Sequence, residues 1–369
     1  MRILRFMAWL LAGLLGLAIV ALGIGYLRSD NVCEIGGPAP KHPMRAAVRC
    51  EYGGPESVRI VAVERPTPGP HDVLVRVRAV AVNPLDWHTV RGTPLLMRID
   101  SGLRKPKQTR LGVDYAGTVE AVGGEVTRFK VGDEVFGGRQ GAFAEFVVVP
   151  DDRAIALKPA TVTFEQAASV PIAATTALQA VRDKGGARAG SRVLINGASG
   201  GVGTYAVQIA KVLGADVTGV CSGRNVELVR GLGAGHVIDY TKDDYTQADV
   251  RYDLIVDNVG NRALQENRHV LAEEGRYVLI GGGGPGDHPW VGPLPAVLHA
   301  SLASLFVKQQ LGMMLADLNA NDLATLAGWM QSGQVTPVID RTYPFDQLPE
   351  ALAYLEKGRA RGKVVVTVP

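Results

Sequence analysis

Residues Leu194 to Lys211 read LINGASGGVGTYAVQIAK, an apolar strand-like run, a glycine cluster and then a helix-like run. Gly197, Gly200 and Gly203 recur at intervals of three across that junction. In such a loop the first glycine permits a tight turn and the second lets backbone N–H groups approach a pyrophosphate. The third allows the helix to pack closely on the strand. The phosphates then lie at a helix N-terminus, where free N–H groups and the dipole favour negative charge. A glycine-rich turn without a ligand is the alternative, and the segments that follow weigh against it. DVTGVC, HVIDY, YDLIVDNVG and GRYVLIGGGG are strand-like, with helix-like stretches such as RNVELVRGLG between them. That alternation predicts an α/β fold with a doubly wound parallel sheet.

Outside this region the style changes. MRAAVRCEYG, SVRIVAVERP and DVLVRVRAVAVN are short, β-branched, partly alternating segments separated by turn residues, as in a β-rich unit. The closing ARGKVVVTVP reads as a strand that needs a sheet to pair with, so the late segments are expected to rejoin the N-terminal β unit. The expected division is an anchor over 1–30, a Gly/Pro-rich linker over 31–43, a β-rich domain over 44–165 rejoined by 315–369, and a nucleotide-binding domain over 166–314. A chain of 369 residues exceeds what one core holds, about 250–300 residues.

Composition narrows the function classes. A formal charge of +3 without a dense basic run argues against a nucleic-acid partner. Cys33, Cys50 and Cys221 are scattered and form no CxxC pair, so neither a four-cysteine zinc site nor a disulfide framework is expected. The N-terminus, FMAWLLAGLLGLAIVALGIGYL from Phe6 to Leu27, is uncharged and long enough to cross a hydrocarbon core of about 30 Å. It reads as an uncleaved transmembrane helix, with a cleaved signal peptide or a buried helix as alternatives. Arginines on both sides leave its orientation open by charge alone. The pyrophosphate-bearing metabolite expected at the glycine loop is drawn from the cytoplasm, which favours a single-pass membrane protein with its folded domain in the cytoplasm. The apolar stretch from Pro295 to Leu315 fits core packing, the commonest role, a cleft wall, a homodimer seam or a lipid contact.

Cofactor choice is read at the end of the second strand, where an NAD site places an Asp or Glu for the ribose 2′-hydroxyl. Here the chain carries Cys221, Ser222, Gly223 and Arg224. A hydroxyl and a guanidinium suit a 2′-phosphate, and Tyr240 after the third strand adds a hydrogen bond or a stacking face for the adenine. NADPH is therefore preferred to NADH. The alternative for Arg224 is an ordinary solvated cation.

With VNPLDWHTVRG, LGVDYAGTVEAVG, KVGDEVFGG, the glycine loop, VIDY, DNVG and the C-terminal GRARGK in view, the chain resembles the medium-chain dehydrogenase/reductase superfamily, in its zinc-free quinone-oxidoreductase branch. The resemblance runs from Met44 to the C-terminus. It implies a GroES-like β domain interrupted by a Rossmann domain, with the active site between them. It also implies NADPH contacts at Ser199, Gly201 and Val202, at Ser222 and Tyr240, and at Asn258 and Ile280 toward the nicotinamide. Arg359, Ala360 and Arg361 would reach back from the C-terminal strand, although the family commonly has His where this chain has Arg359. Thr176 would pack near the nicotinamide.

Zinc-dependent relatives place a catalytic Cys where this chain has Asn83 and a ligating His where it has Val113, so no metal is expected. The chemistry implied is hydride transfer to a quinone, enone or related conjugated carbonyl. NPLDWHTVRG then supplies the candidate catalytic groups. Asn83 would orient the carbonyl, His88 would donate a hydrogen bond or proton, and Arg91 would stabilise negative charge. The alternative is a structural turn with solvent as proton source. An NADPH-binding sensor without turnover and an NADP-dependent alcohol dehydrogenase are the competing functions.

Overall fold

The computed structural model describes residues 23–27, 29–281 and 289–369. Fifteen strands lie among them. Strands β1 (Pro43–Val48) and β2 (Arg59–Glu64) form an antiparallel ribbon. Strands β3 (Asp72–Val82), β4 (Asp114–Val122), β5 (Glu134–Gly138), β6 (Phe146–Pro150) and β7 (Ile155–Leu157) follow. The inserted unit holds β8 (Arg192–Asn196), β9 (Asp216–Cys221), β10 (His236–Asp239), β11 (Tyr252–Asp257), β12 (Leu271–Leu279) and β13 (Gln310–Met313). The chain then returns through β14 (Ile339–Pro344) and β15 (Lys363–Thr367). The helices include α1 (Pro84–Arg91), α2 (Pro171–Leu178), α3 (Gly201–Val212), α4 (Leu294–Ala303) and α5 (Leu348–Glu356).

The inserted strands form one parallel sheet in the order β10-β9-β8-β11-β12-β13. This is the doubly wound arrangement, with its crevice at the carboxyl ends of the first and fourth strands, β8 and β11. Parallel strands are covered on both faces, which is why VLIN in β8 and LIVD in β11 are buried without alternation.

The second sheet joins β14-β15-β3-β4-β5-β7, with β6 also paired to β3. Its long central strand, β3, carries Val73, Val75 and Val77 into a core shared with Val364 and Val366 from the far end of the chain. β15 runs antiparallel to β3, with Val364 opposite Val82. The C-terminal strand therefore completes the sheet begun near residue 72.

Two sequence expectations need correction. The single-pass membrane placement fails because no helix among the described residues is long and apolar enough to cross a membrane. Only residues 23–27 of the apolar run fall among those described, and they are helical. Residues 6–22 lie outside the described set. The second correction concerns cysteine. Cys33 and Cys50 form a disulfide, their Cα atoms 5.4 Å apart. Sequence spacing hid this pair because tertiary folding lays the linker over the end of β1. Asn31 donates from Nδ2 to Cys50 O and Pro106 O, at 2.8 and 2.9 Å. Asp30 pairs with Lys105 at 3.1 Å and Glu34 with Arg110 at 3.3 Å. The front of the expected linker is thus strapped to the β domain.

Candidate active site

The glycine loop leaves β8 through Gly197, whose φ of 76° lies in the left-handed region that glycine adopts without strain. Gly200 then starts α3 in extended conformation. A Cβ on Gly203 would sit 2.1 Å from Gly197 O, so only glycine lets the helix pack this closely on the turn. The resulting cradle of backbone N–H groups at a twelve-residue helix suits a pyrophosphate.

The C-terminal segment closes on this cradle from the other domain. Gly362 pairs with Gly200 in an isolated parallel bridge, and its N–H donates to Ser199 O at 2.9 Å. Arg224 donates from Nη2 to Arg359 O at 3.1 Å, and the Arg361 N–H donates to Asp340 Oδ2 at 3.1 Å. Ser199, Gly200, Gly201, Arg224, Arg359 and the neighbouring Ala360 and Arg361 thus gather at one end of the seam between the sheets.

Sequence reasoning missed Asn225, which is buried beside the glycine loop. Its Nδ2 lies 2.9 Å from Ser199 Oγ and 3.2 Å from Ser222 Oγ, linking the two serines expected at opposite ends of the cofactor's phosphates. Asp239 was missed as well. Its carboxylate accepts from the Thr241 hydroxyl and N–H, at 2.8 and 3.1 Å. The Thr241 hydroxyl bond contributes most to holding it below the usual carboxylate range. Its charge is engaged by the turn that follows β10. Tyr240 next to it is 57% exposed, leaving its ring free as a stacking face.

On the nicotinamide side, the Asn258 amide donates from Nδ2 to Asn196 O at 2.8 Å, while its Oδ1 is buried with no protein partner. A buried, unpaired amide oxygen beside the crevice fits a ligand donor such as a carboxamide. Ile280 follows β12 and donates its N–H to Asp257 O at 2.9 Å. Thr176 turns inward to bond Ile172 O at 2.6 Å. Val202 lies half-buried on the first turn of α3. The glycine cradle and the orphaned Asn258 oxygen together fit a bound nicotinamide dinucleotide.

The candidate catalytic groups of NPLDWHTVRG lie on α1 and at its N-cap. Asp86 closes its first turn by accepting the Asn83 N–H at 2.7 Å, and Gly92 ends it at φ 62°. The Asn83 amide is fully committed: Nδ2 donates to Asp114 Oδ2 at 2.9 Å, and Oδ1 accepts from Lys363 Nζ at 2.5 Å. His88 stacks on Trp87 with centroids 3.6 Å apart. Its Nδ1 lies 2.9 Å from Thr93 O, which can only accept, so Nδ1 carries the proton and Nε2 bears the lone pair. Burial pushes the His88 pKa down, opposed by the Thr93 bond, which favours this neutral form at pH 7. Arg91 grips Glu356 of α5 through Nε and Nη2, the latter at 3.0 Å. The structure therefore joins Asn83 to the seam and places His88 on the same helix, while Arg91 is spent on a salt bridge.

No cluster of three or more His, Cys, Asp or Glu residues that could hold a metal ion occurs among the described residues. Buried charge gathers instead at Asp86, Asp114 and Lys363. Burial pushes Asp86 up to about 7 and raises Asp114. Burial also pulls Lys363 down, and the neighbouring Asp114 opposes that shift.

Residues 69–159 match the family model described as an alcohol dehydrogenase GroES-like domain, and residues 232–366 match one described as a zinc-binding dehydrogenase. The chain is 36% identical over 326 residues to the mitochondrial NAD(P)H oxidoreductase RTN4IP1 of Mus musculus, covering 81% of this chain and 82% of that protein. It is 33% identical to the 2-methylene-furan-3-one reductase of Solanum lycopersicum, covering 88% and 79% of the two chains. Among solved structures, the quinone oxidoreductase from Coxiella burnetii superposes with a TM-score of 0.77 at 27% identity, covering 89% of this chain and all of that one. With its GroES-like sheet, its doubly wound parallel sheet and these relatives, the chain belongs to the medium-chain dehydrogenase/reductase superfamily, in the quinone-oxidoreductase branch, and is an NAD(P)H-type oxidoreductase.

Proposed function

We propose that the chain is an NADPH-dependent reductase of quinones, enones and related conjugated carbonyls. The observation that carries this reading is the composition of the adenosine end, where Ser222 and Arg224 follow β9 and the Asp239 carboxylate at the end of β10 is engaged by Thr241. A hydroxyl and a guanidinium suit a phosphate on the ribose. Relatives named as a 2-methylene-furan-3-one reductase and an alkenal/one oxidoreductase support a conjugated acceptor.

The chemistry available in such a cleft is hydride delivery from a dihydronicotinamide to an electron-poor carbon of the acceptor. The glycine loop and Ser199 bind the phosphates, and Asn258 Oδ1 accepts from the carboxamide. Neutral His88, with Nε2 free, accepts a hydrogen bond from a hydroxyl or an ordered water near the acceptor oxygen. It passes a proton on when protonated from solvent. Asn83 takes no direct part, since both its amide atoms are paired within the protein.

The test is a stopped assay of NADPH and NADH oxidation across quinones, alkenals and simple alkanals. NADPH consumption with quinones or alkenals and little with alkanals supports the reading. Tight NADPH binding without oxidation by any acceptor overturns it in favour of a sensor.

A further inference from the structure

Lys363 ends the GRARGK motif without an expected contact of its own, yet it is 3% exposed and stands at the seam between the two sheets. Three acceptors surround its ammonium: Asn83 Oδ1 at 2.5 Å, Val82 O at 3.3 Å and Asp114 Oδ2 at 3.5 Å. The stem of the same side chain rests on the phosphate loop, because a Cβ on Gly201 would lie 3.2 Å from Lys363 Cδ. Asp114 extends the network by accepting the Ile172 N–H of α2 at 3.0 Å, on the helix that carries Thr176. Asn83 extends it the other way, since its N–H is held by Asp86 in the first turn of α1. One side chain therefore touches the loop expected to bind phosphate and the helix that presents His88.

We propose that Lys363 is the positioning residue of this site, holding the hydride-donating and hydride-accepting halves of the cleft in register and transmitting occupancy of the phosphate loop to α1. Movement of Gly201 displaces the Lys363 stem, and the ammonium carries the displacement to Asn83 and the start of α1. An apolar side chain could fill the same volume but would carry no directional link to Asn83. The proposal rests on the reductase reading only for its turnover measurement. Its second measurement is independent of catalysis.

The test uses the full chain with histidine labelled at Cε1, the His88 resonance being assigned by its loss in His88→Gln. NADP⁺ is the probe. In the wild type, saturating NADP⁺ shifts the His88 signal. Lys363→Met alone leaves Asp114 without its cation, so the working variant is Lys363→Met with Asp114→Asn, which removes both charges together. This double variant is expected to bind NADP⁺ within about threefold of wild type, to lose the His88 shift, and to reduce 1,4-naphthoquinone with a kcat about 100-fold lower, the scale of a misplacement near 1 Å. A retained His88 shift with kcat within twofold overturns the proposal, as does a wild-type His88 signal that ignores bound NADP⁺. Should the double variant fail to fold, Gly201→Ala decides, because the added Cβ presses on the Lys363 stem. An unchanged His88 shift there refutes the link. A wild type that shows the shift but reduces no acceptor sinks the reductase reading and leaves the positioning role standing.

Discussion

Replacing Arg224 by Ala separates the two jobs its guanidinium does. The first is visible in the structure: Nη2 donates to Arg359 O at 3.1 Å on an exposed surface, tying the C-terminal loop to the cofactor loop. A single hydrogen bond in water contributes little, so its loss weakens binding of either cofactor by about two- to threefold. The second job is contact with a ribose 2′-phosphate, which only NADPH presents. A charge-assisted bond to phosphate is roughly twice as strong as a neutral one, and its loss costs about 10- to 100-fold in affinity. The Kd for NADPH is therefore expected to rise about 20- to 300-fold and the Kd for NADH about two- to threefold. Titration of the nicotinamide fluorescence at two salt concentrations measures both, and the NADPH effect is expected to shrink at high salt as exposed charges are screened. Equal losses for the two cofactors would mean that Arg224 only holds the C-terminal loop. No loss for either would refute the assignment of the adenosine end altogether.

Two further outcomes are expected. The Asp86 carboxyl, pushed up to about 7 by burial, is costly to ionise in the fold. Its ordinary value is near 4, so stability falls as pH rises between about 4 and 7 and levels off above that. Asp86→Asn keeps an acceptor for the Asn83 N–H and removes the penalty, on the order of a few kcal/mol, so its melting temperature should exceed wild type at pH 8 and converge with it near pH 4. Parallel curves for the two proteins would contradict this. Breaking the disulfide by Cys33→Ser opens a loop spanning a separation of 17 residues and is expected to cost about 3 kcal/mol in denaturant unfolding. Wild type under reducing conditions should match the variant, and a variant as stable as the oxidised protein would show that the linker adds no constraint.

Local features were legible from residue order alone. The glycine spacing at Gly197, Gly200 and Gly203, the unbroken apolar runs of β8 and β11, and the alternating β3 each announce their element through period and turn chemistry. Convergence across the chain was not. Lys363 meets Asn83 from 280 residues away, Arg91 meets Glu356 from 265, and Cys33 finds Cys50 because the linker folds back. Such meetings depend on strand order, and no local pattern reports it. Asn225 was overlooked for a related reason: in sequence it is one polar residue in a helix-like stretch, and only the loop's curvature brings it under Ser199 and Ser222. Arg91 shows the converse, a cation placed well for an oxyanion by motif but neutralised by a helix far along the chain.

The late return of β15 to β3 also sets a clock on biosynthesis. β3 and β4 leave the ribosome early and can pair at once, yet the edge of β3 that β15 will cover stays open until the last residues are made. Lys363 and Val82, bonded in the finished fold, are separated by 281 residues, roughly 15 s to a minute of translation at ~5–20 residues per second. Throughout that interval a valine-rich strand edge is exposed to other nascent chains. The six strands of the Rossmann unit are contiguous in sequence, yet its core also takes in Leu326 and Val365 from the returning segment. Truncation of even the final strand would thus leave an open, adhesive β sheet and a core short of its last contributor.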